Sequence, residues 1–314
     1  MRPISVFLKN PSEITRSLLR KYSDYLPDSL YLKYQFKERM GYPLDLRHPV
    51  TFSEKLQWLK LYDRRPIYTT MVDKYAVKKY VADIIGDEYI IPTLGVWDRP
   101  EDIEWDSLPN QFVLKCTHDS GGLVICRDKK SLDKMAAIKK ISNSLARDYY
   151  KAGREWPYKN VPRRIIAEQF MEAKPDVKDL PDYKWYCFNG EPKFCQVIQN
   201  RSMDEKIDFF DTEWHHQDFI GLNPKATHAE DTPGRPLTLD TQIRIARELS
   251  KGNIFSRVDL YEIGEKAYFG EITLYPGSGF GQFKPEQYNE ILGEMLKLPG
   301  KKMGGGNYQN NLIK

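Results

Sequence analysis

The chain has 314 residues, enough to bury a substantial core and to fold as two or more lobes. Its 48 basic and 44 acidic residues leave a formal charge of +4, too small for this length to support general nucleic-acid binding but compatible with anionic small ligands. No apolar run approaches the roughly twenty residues that span a bilayer, and the VFL after Met1-Arg2-Pro3-Ile4 is too short for a signal-peptide core, so the expected compartment is the cytoplasm. Cys116, Cys126, Cys187 and Cys195 show no CxxC spacing. Each lies in a predicted strand, where free cysteine packs as a small apolar residue, so neither a zinc site nor a disulfide framework is expected from them.

The first seventy or so residues read as helical, with Leu18, Leu19, Leu56 and Leu59 at helical spacing and Ser53 as a cap before EKLQWLKLY. A second helix is expected from Met71 to Ile84, with Val72, Ala76 and Tyr80 as its stripe, stopping near Gly86. Lys74 lies off that stripe and alone reads as a solvated lysine. A strand, YIIPTLGVW, and an acidic loop lead to QFVLKCTHDSGGLVIC. Two apolar strands there flank Thr117 to Gly122, whose glycines leave backbone N-H groups open to an anion, with Lys115 at the strand end. A plain surface hairpin explains this stretch equally well. A long helix is expected from Ser131 to Gly153, burying Leu132, Met135, Ile138, Leu145 and Tyr149.

From Arg163 the pattern turns to strands. RRIIAEQFM, bounded by Pro162 and KPDVKDLP, reads as a connector between lobes. DYKWYCFNGEPKFCQVI carries the strongest hairpin signal, Asn189-Gly190 between aromatic-rich strands, with Asp182, Lys184 and Tyr186 on one face and Arg201 just beyond. The strand KIDFFD precedes Trp214, His215 and His216. Adjacent histidines in a strand point to opposite faces, and with no nearby Cys or His to complete a set, they read as a solvated loop. TQIRIARELSKG is a helix ending at Gly252, and the tail from Gly304 is expected to be flexible.

The most informative stretch runs from Ser256 to Gly279, SRVDLYEIGEKAYFGEITLYPGSG. If Gly264-Glu265-Lys266 form the turn of a hairpin, Ile263 faces Ala267 and Asp259 stands opposite Glu271, with Arg257 and Thr273 on the same face. Paired carboxylates repel unless a cation lies between them, and hard oxygen donors favour magnesium. A two-residue turn would send the two carboxylates to opposite faces. Two lysines, a glycine loop, an apolar segment carrying Glu168 and an acidic hairpin, in this order, suit a nucleoside triphosphate.

Through TFSEKLQWLKLYD, VDKYAVKKYV, LPNQFVLKCTHDSGG, RRIIAEQF, DYKWYCFNGEPK, RVDLYEI and FGEITLYPGSG, the chain resembles the ATP-grasp superfamily, and more closely its TupA-like branch, linked to teichuronopeptide and other surface-polysaccharide biosynthesis. The resemblance covers roughly residues 30 to 300. It implies an α+β ATP-grasp fold in which two lobes clasp ATP, with Mg2+ as cofactor. Lys74 and Lys115 would contact phosphate, and Ser120, Gly121 and Gly122 would form the loop over it. Glu168, with the backbone of Gln169, Phe170 and Met171, is similar to the adenine hinge, and Asp182 to the ribose-binding acid. Lys184 and Arg201 would face the transferred phosphoryl group, Arg257 would steady it, and Asp259 and Glu271 would bind magnesium. Thr273 stands where many relatives place a metal-binding Asn, so it is the weaker third donor of the set.

The domain expectation is a helical N-terminal segment over residues 1-70, an N-terminal lobe over 71-162, a C-terminal lobe over 163-303 and a tail over 304-314. The implied activity is a carboxylate-amine ligase working through an acylphosphate, with a uronic-acid carboxylate of a glycan or its precursor and an amino acid as partners, no nucleic acid, and peripheral association with the membrane polysaccharide machinery. His118 is a candidate base for the amine. An ATP-grasp kinase acting on a sugar hydroxyl would use the same nucleotide site. A glycosyltransferase would need a DxD-like motif and an α/β nucleotide-sugar lobe, and neither is evident.

Overall fold

A computed structural model of the protein describes residues 23-171, 181-199, 204-223 and 225-299. Leu18, Leu19, Arg201 and the tail from Gly304 lie outside the described residues. The first α-helices among the described residues are α1 (Asp28–Met40) and α2 (Phe52–Tyr62). The cap of α2 is Thr51 rather than Ser53: the Thr51 hydroxyl accepts from the Glu54 N-H, and the Glu54 carboxylate accepts from the Thr51 N-H. Ser53 sits in the first turn instead and donates its hydroxyl and N-H to Asn289.

The single helix expected from Met71 to Ile84 is two, α3 (Ile67–Val72) and α4 (Ala76–Ile85). Asp73 makes the break, its Oδ1 accepting from the N-H groups of Tyr75 and Ala76. This break leaves Lys74 outside both helices. Strands β1 (Thr93–Trp97), β2 (Phe112–Cys116) and β3 (Val124–Cys126) follow, then helices α5 (Lys134–Leu145) and α6 (Tyr149–Gly153), then β4 (Ile165–Gln169). The helix expected over Ser131 to Gly153 is thus also divided. Asp133 caps α5 through the Ala136 N-H, and the face it buries carries Ala137, Ile141 and Ser144, while Met135 is 82% exposed. The four strands pair antiparallel in the order β1-β4-β2-β3 and, with α5, enclose a small core including Phe112, Leu114, Ile141 and Ile165. RRIIAEQFM is therefore a buried strand inside this sheet and not a connector.

The larger core surrounds a second antiparallel sheet. Its strands are β5 (Asp182–Phe188), β6 (Glu191–Gln199), β7 (Lys206–Phe210) and β8 (His216–Gln217), followed by β9 (Ile220–Gly221), helix α7 (Leu239–Ser250), β10 (Phe255–Ile263), β11 (Lys266–Thr273), β12 (Phe283–Lys284) and helix α8 (Tyr288–Met295). The order across the sheet is β11-β10-β5-β6-β7-β8. Asn189 and Gly190 turn the β5-β6 hairpin at φ 51° and 89°, the left-handed pair that a two-residue hairpin loop demands. α7 covers one face, where the Trp185 indole N-H donates to Gln242. α2 reaches the other through Phe52, which packs on Tyr186, Phe188 and Phe255. All four cysteines are free and buried in strands, as their apolar neighbours led one to expect. Among the described residues no helix is long and apolar enough to cross a membrane.

The β10-β11 hairpin reaches the expected pairing by a different route. Its turn has two residues, Gly264-Glu265, and Ile263 pairs with Lys266, not Ala267. That turn alone would separate the carboxylates. One extra residue, Gly270, bulges out between the Leu260-Phe269 and Asp259-Glu271 pairs and shifts the register back. A side chain at Gly270 would place its Cβ 3.0 Å from both the Asp259 carbonyl oxygen and the Tyr261 ring, tighter than ordinary contact, so the bulge favours glycine.

Candidate active site

A cleft of about 370 Å³ lies between the two sheets. Its walls come from the break before α4 (Lys74) and α4 itself (Lys78), the end of β2 and its glycine loop (Lys115, Asp119 to Gly122), Glu168 on β4, Asp182 and Lys184 on β5, and the β10-β11 hairpin (Arg257, Asp259, Glu271). Ile90, Ile91, Leu123, Tyr261 and Phe269 supply apolar wall. Among the described residues five basic and five acidic side chains line it, so their charges give no surplus for an anion.

On its floor, Asp259 is buried and held from two sides. Arg257 Nε and Nη2 each lie 2.7 Å from its carboxylate, and Lys184 Nζ lies 2.5 Å from Oδ2. Asp182 adds its carboxylate 3.5 Å from Lys184 Nζ. Arg257 Nη2 also reaches Glu271 at 3.3 Å and donates to the Thr273 hydroxyl at 3.1 Å, which in turn donates to Glu271 at 3.1 Å. The cation that two facing carboxylates require is therefore, in this state, the guanidinium of Arg257. Burial raises the Asp259 carboxyl against the pull of Arg257 and Lys184. Burial also works to raise Glu271, but Lys74, Lys184 and Arg257 outweigh it and bring that carboxyl down to about 2. Its side chain is 44% exposed, so Glu271 is the open, ionised half of the pair. Two carboxylates and a hydroxyl, all hard oxygens, fit Mg2+.

The roof is built around the glycine loop. Lys74 donates to the Asp119 carbonyl, and its own N-H to the Thr117 carbonyl. Asp119 accepts from Ser144 of α5, which fixes the loop's base. Gly121 sits at φ 117°, and a Cβ at Gly122 would collide with Ser144. Glu168 lies between two lysines, 2.5 Å from Lys115 and 2.6 Å from Lys78. Burial works to raise its carboxyl, and the two lysines outweigh it and hold it below the usual range. Gln169, Phe170 and Met171 continue the chain past Glu168 but are not among the residues lining the cleft; the Gln169 N-H bonds to Pro92, and Arg127 lies over the Phe170 ring.

Lys78, one turn into α4 from Lys74, is a site residue that the sequence analysis does not single out. Its spacing of one turn from Lys74 was the only available signal. His118 is buried, with Nε2 3.1 Å from the Arg147 carbonyl, and is absent from the lining, so it is not placed as a base for the cleft. Burial lowers its pKa. The Pro276 to Gly279 turn is pinned from the helical segment: Gln57 donates to the carbonyls of Ser278 and Gly279, and Lys60, fully buried, donates to Gly153 and Ser278.

The model of the TupA-like ATP-grasp family matches residues 54-297. The chain belongs to this family. No curated protein matches the chain. Among solved structures it is similar to D-alanine–D-alanine ligase from Bacillus anthracis complexed with ATP, at 15% identity and TM-score 0.38, over 66% of this chain and 55% of that one. It is similar to a RimK domain protein ATP-grasp from Sphaerobacter thermophilus DSM 20745, at 13% identity and TM-score 0.41, over 75% of this chain and 70% of that one. It is also similar to D-alanine–D-alanine ligase from Helicobacter pylori, at 14% identity and TM-score 0.39, over 71% and 58%. The chain thus spans a little over half the length of these D-alanine ligases.

Proposed function

We propose that this TupA-like ATP-grasp protein joins a carboxylate to an amine at the expense of ATP, forming an amide through an acylphosphate. The observation that carries the reading is the arrangement of Lys74, Lys115, Lys184 and Arg257 around one cleft whose floor holds Asp259 opposite Glu271. Because basic and acidic side chains balance in that cleft, a triphosphate needs an additional cation. Asp259 and Glu271 would hold Mg2+, with the Thr273 hydroxyl as a weaker donor, and the ion would neutralise phosphate charge and polarise the γ-phosphoryl group.

Lys74, Lys115 and the N-H groups of Ser120 to Gly122 bind the phosphates, while Ile90, Ile91 and Phe269 offer an apolar wall to the base and Glu168 fixes Lys78 and Lys115 beneath it. Asp182 is assigned to the ribose, and Gln169 to Met171 to the hinge. As nucleotide enters, Arg257 and Lys184 exchange part of their carboxylate contacts for the γ-phosphoryl oxygens; Arg201 is assigned to the same group. A substrate carboxylate oxygen attacks the γ-phosphorus and ADP leaves. The amine then attacks the acyl carbon, and phosphate departs with the former carboxylate oxygen. Positioning and electrostatics supply the rate, so no protein nucleophile is required.

Residues 71-162 and 163-303 are assigned to the two lobes, with β4 lent to the first sheet and α4 to the second core. The reading takes a uronic-acid carboxylate and an amino acid as the partners, with a cytoplasmic site of action and docking near membrane-bound polysaccharide machinery. The test is incubation with ATP, Mg2+, a panel of uronic acids and mixed amino acids, followed by mass spectrometry. An amide-linked product with ADP is expected. A phosphorylated sugar without amide would replace the ligase by a kinase.

A further inference from the structure

We propose that Asp208, His216 and His228 form a second metal site, for one divalent transition ion of the zinc type, at the far edge of the six-stranded sheet. His216 Nε2 and His228 Nδ1 lie 2.8 and 3.0 Å from the same oxygen, Asp208 Oδ1, and the three potential ligand atoms fall within 4.8 Å of one another. The sequence argument against a metal at the histidine pair holds for His215, which turns away to Asp211, but it overlooked His228 twelve residues on.

The cluster is separate from the ATP cleft. Lys184, Gln196 and Phe209 form one row across β5, β6 and β7, so Asp208, adjacent to Phe209, points to the other face of the sheet from Lys184 and Asp259. Asp208 is 1% exposed, and among the described residues its only ionic partners are these two histidines. A buried carboxylate with no lysine or arginine partner among the described residues lacks a permanent countercharge. A divalent ion supplies one. Its oxygen and nitrogen donors are also already oriented: Oδ2 accepts from the Ala229 N-H at 3.2 Å, Phe210 meets the His216 ring edge-on at 5.4 Å, and Trp214 stacks on Phe210.

Two imidazole nitrogens and one carboxylate suit zinc far better than magnesium, which prefers an all-oxygen shell. Bonds of about 2.0–2.1 Å put tetrahedral ligand atoms about 3.3 Å apart, so the pairs seen here need to spread by only a few tenths of an ångström. The histidine side chains are 33% and 31% exposed, which leaves a fourth position open to water. Binding requires each imidazole to present a lone pair in place of an N-H to Asp208, and at His228 it also gives up the contact of Nδ1 with the Ile207 carbonyl at 3.1 Å. The ion would clip the segment at Thr227 to Ala229 onto β7 and β8, where the Lys206-Thr227 bridge already begins the contact.

The test uses the full chain stripped with EDTA and titrated with Zn2+ against a chromogenic chelator, with thermal unfolding in parallel. One ion per chain and a higher Tm are expected. His216→Ala and His228→Ala should each weaken binding at least about 100-fold, beyond the usual cost of losing an outer-shell partner. His215→Ala and Glu271→Gln should bind as the wild type does, and circular dichroism in EDTA shows that the variants fold. Less than half an equivalent bound by the folded wild-type chain, or wild-type affinity retained in both histidine variants, overturns the site.

Discussion

Asp259→Asn separates the two roles of the floor. In the absence of nucleotide, Asp259 accepts two bonds of 2.7 Å from Arg257 and lies 2.5 Å from Lys184, all three side chains being buried. The amide keeps the shape and removes the charge, leaving a guanidinium and an ammonium short of their anion. Breaking a buried pair in this way costs about 3–5 kcal/mol, which for a chain of this size is roughly 10 °C in Tm. Glu271→Gln is the control, because its half-exposed side chain is expected to cost less than about 1 kcal/mol. Both variants should lose ATP turnover by about 100-fold or more, since each removes a charge from the floor of the phosphate site. Thermal unfolding without nucleotide and a coupled ADP assay read the two effects. If Asp259→Asn unfolds with the wild type, or Glu271→Gln destabilises as much, the charge network described here is wrong.

Lys60 gives a pH signature. Burial brings its ammonium down to about 7, Glu155 only partly opposing, whereas an unfolded lysine titrates near 10.4. Between these values the unfolded chain holds a proton that the folded one has released, so stability should rise with pH from about 7 to 10. Urea unfolding of Lys60→Met should lack that rise, and equal slopes for the two proteins would refute the assignment. Lys78→Met leaves Glu168 with Lys115 alone and should raise the KM for ATP about tenfold, about 1.4 kcal/mol, with a smaller effect on kcat; an unchanged KM would remove Lys78 from the site. Gly270→Val forces a Cβ against the Asp259 carbonyl and should cost about 1–3 kcal/mol by overpacking, along with most turnover, whereas a fully active variant would show that the bulge does not set the carboxylate register.

The parts of this molecule legible in its sequence are those fixed by local pattern. Asn189-Gly190 names its own hairpin, and the alternation of Asp182, Lys184 and Tyr186 gives one face of β5. The glycine loop between two apolar strands is equally local. The less legible parts depend on side chains meeting across the fold. Asp73 divides an unbroken apolar stripe by capping a second helix, and nothing in the periodicity marks it. The Asp259-Glu271 pairing followed from a three-residue turn, yet the chain uses a two-residue turn and a bulge at Gly270, two offsets that cancel. Nothing local singles out Lys78, because its partner Glu168 stands ninety residues later, and His228 has no local link to His216 because the return of the chain to β7 has no sequence signal.

The most direct test of the ligase account is the fate of the acceptor's oxygen. With the uronic-acid carboxylate labelled with oxygen-18, and with MgATP and the amino acid supplied, the account predicts one labelled oxygen in the released phosphate for each amide formed. Phosphate without label, or label retained in a phosphorylated sugar, would contradict it.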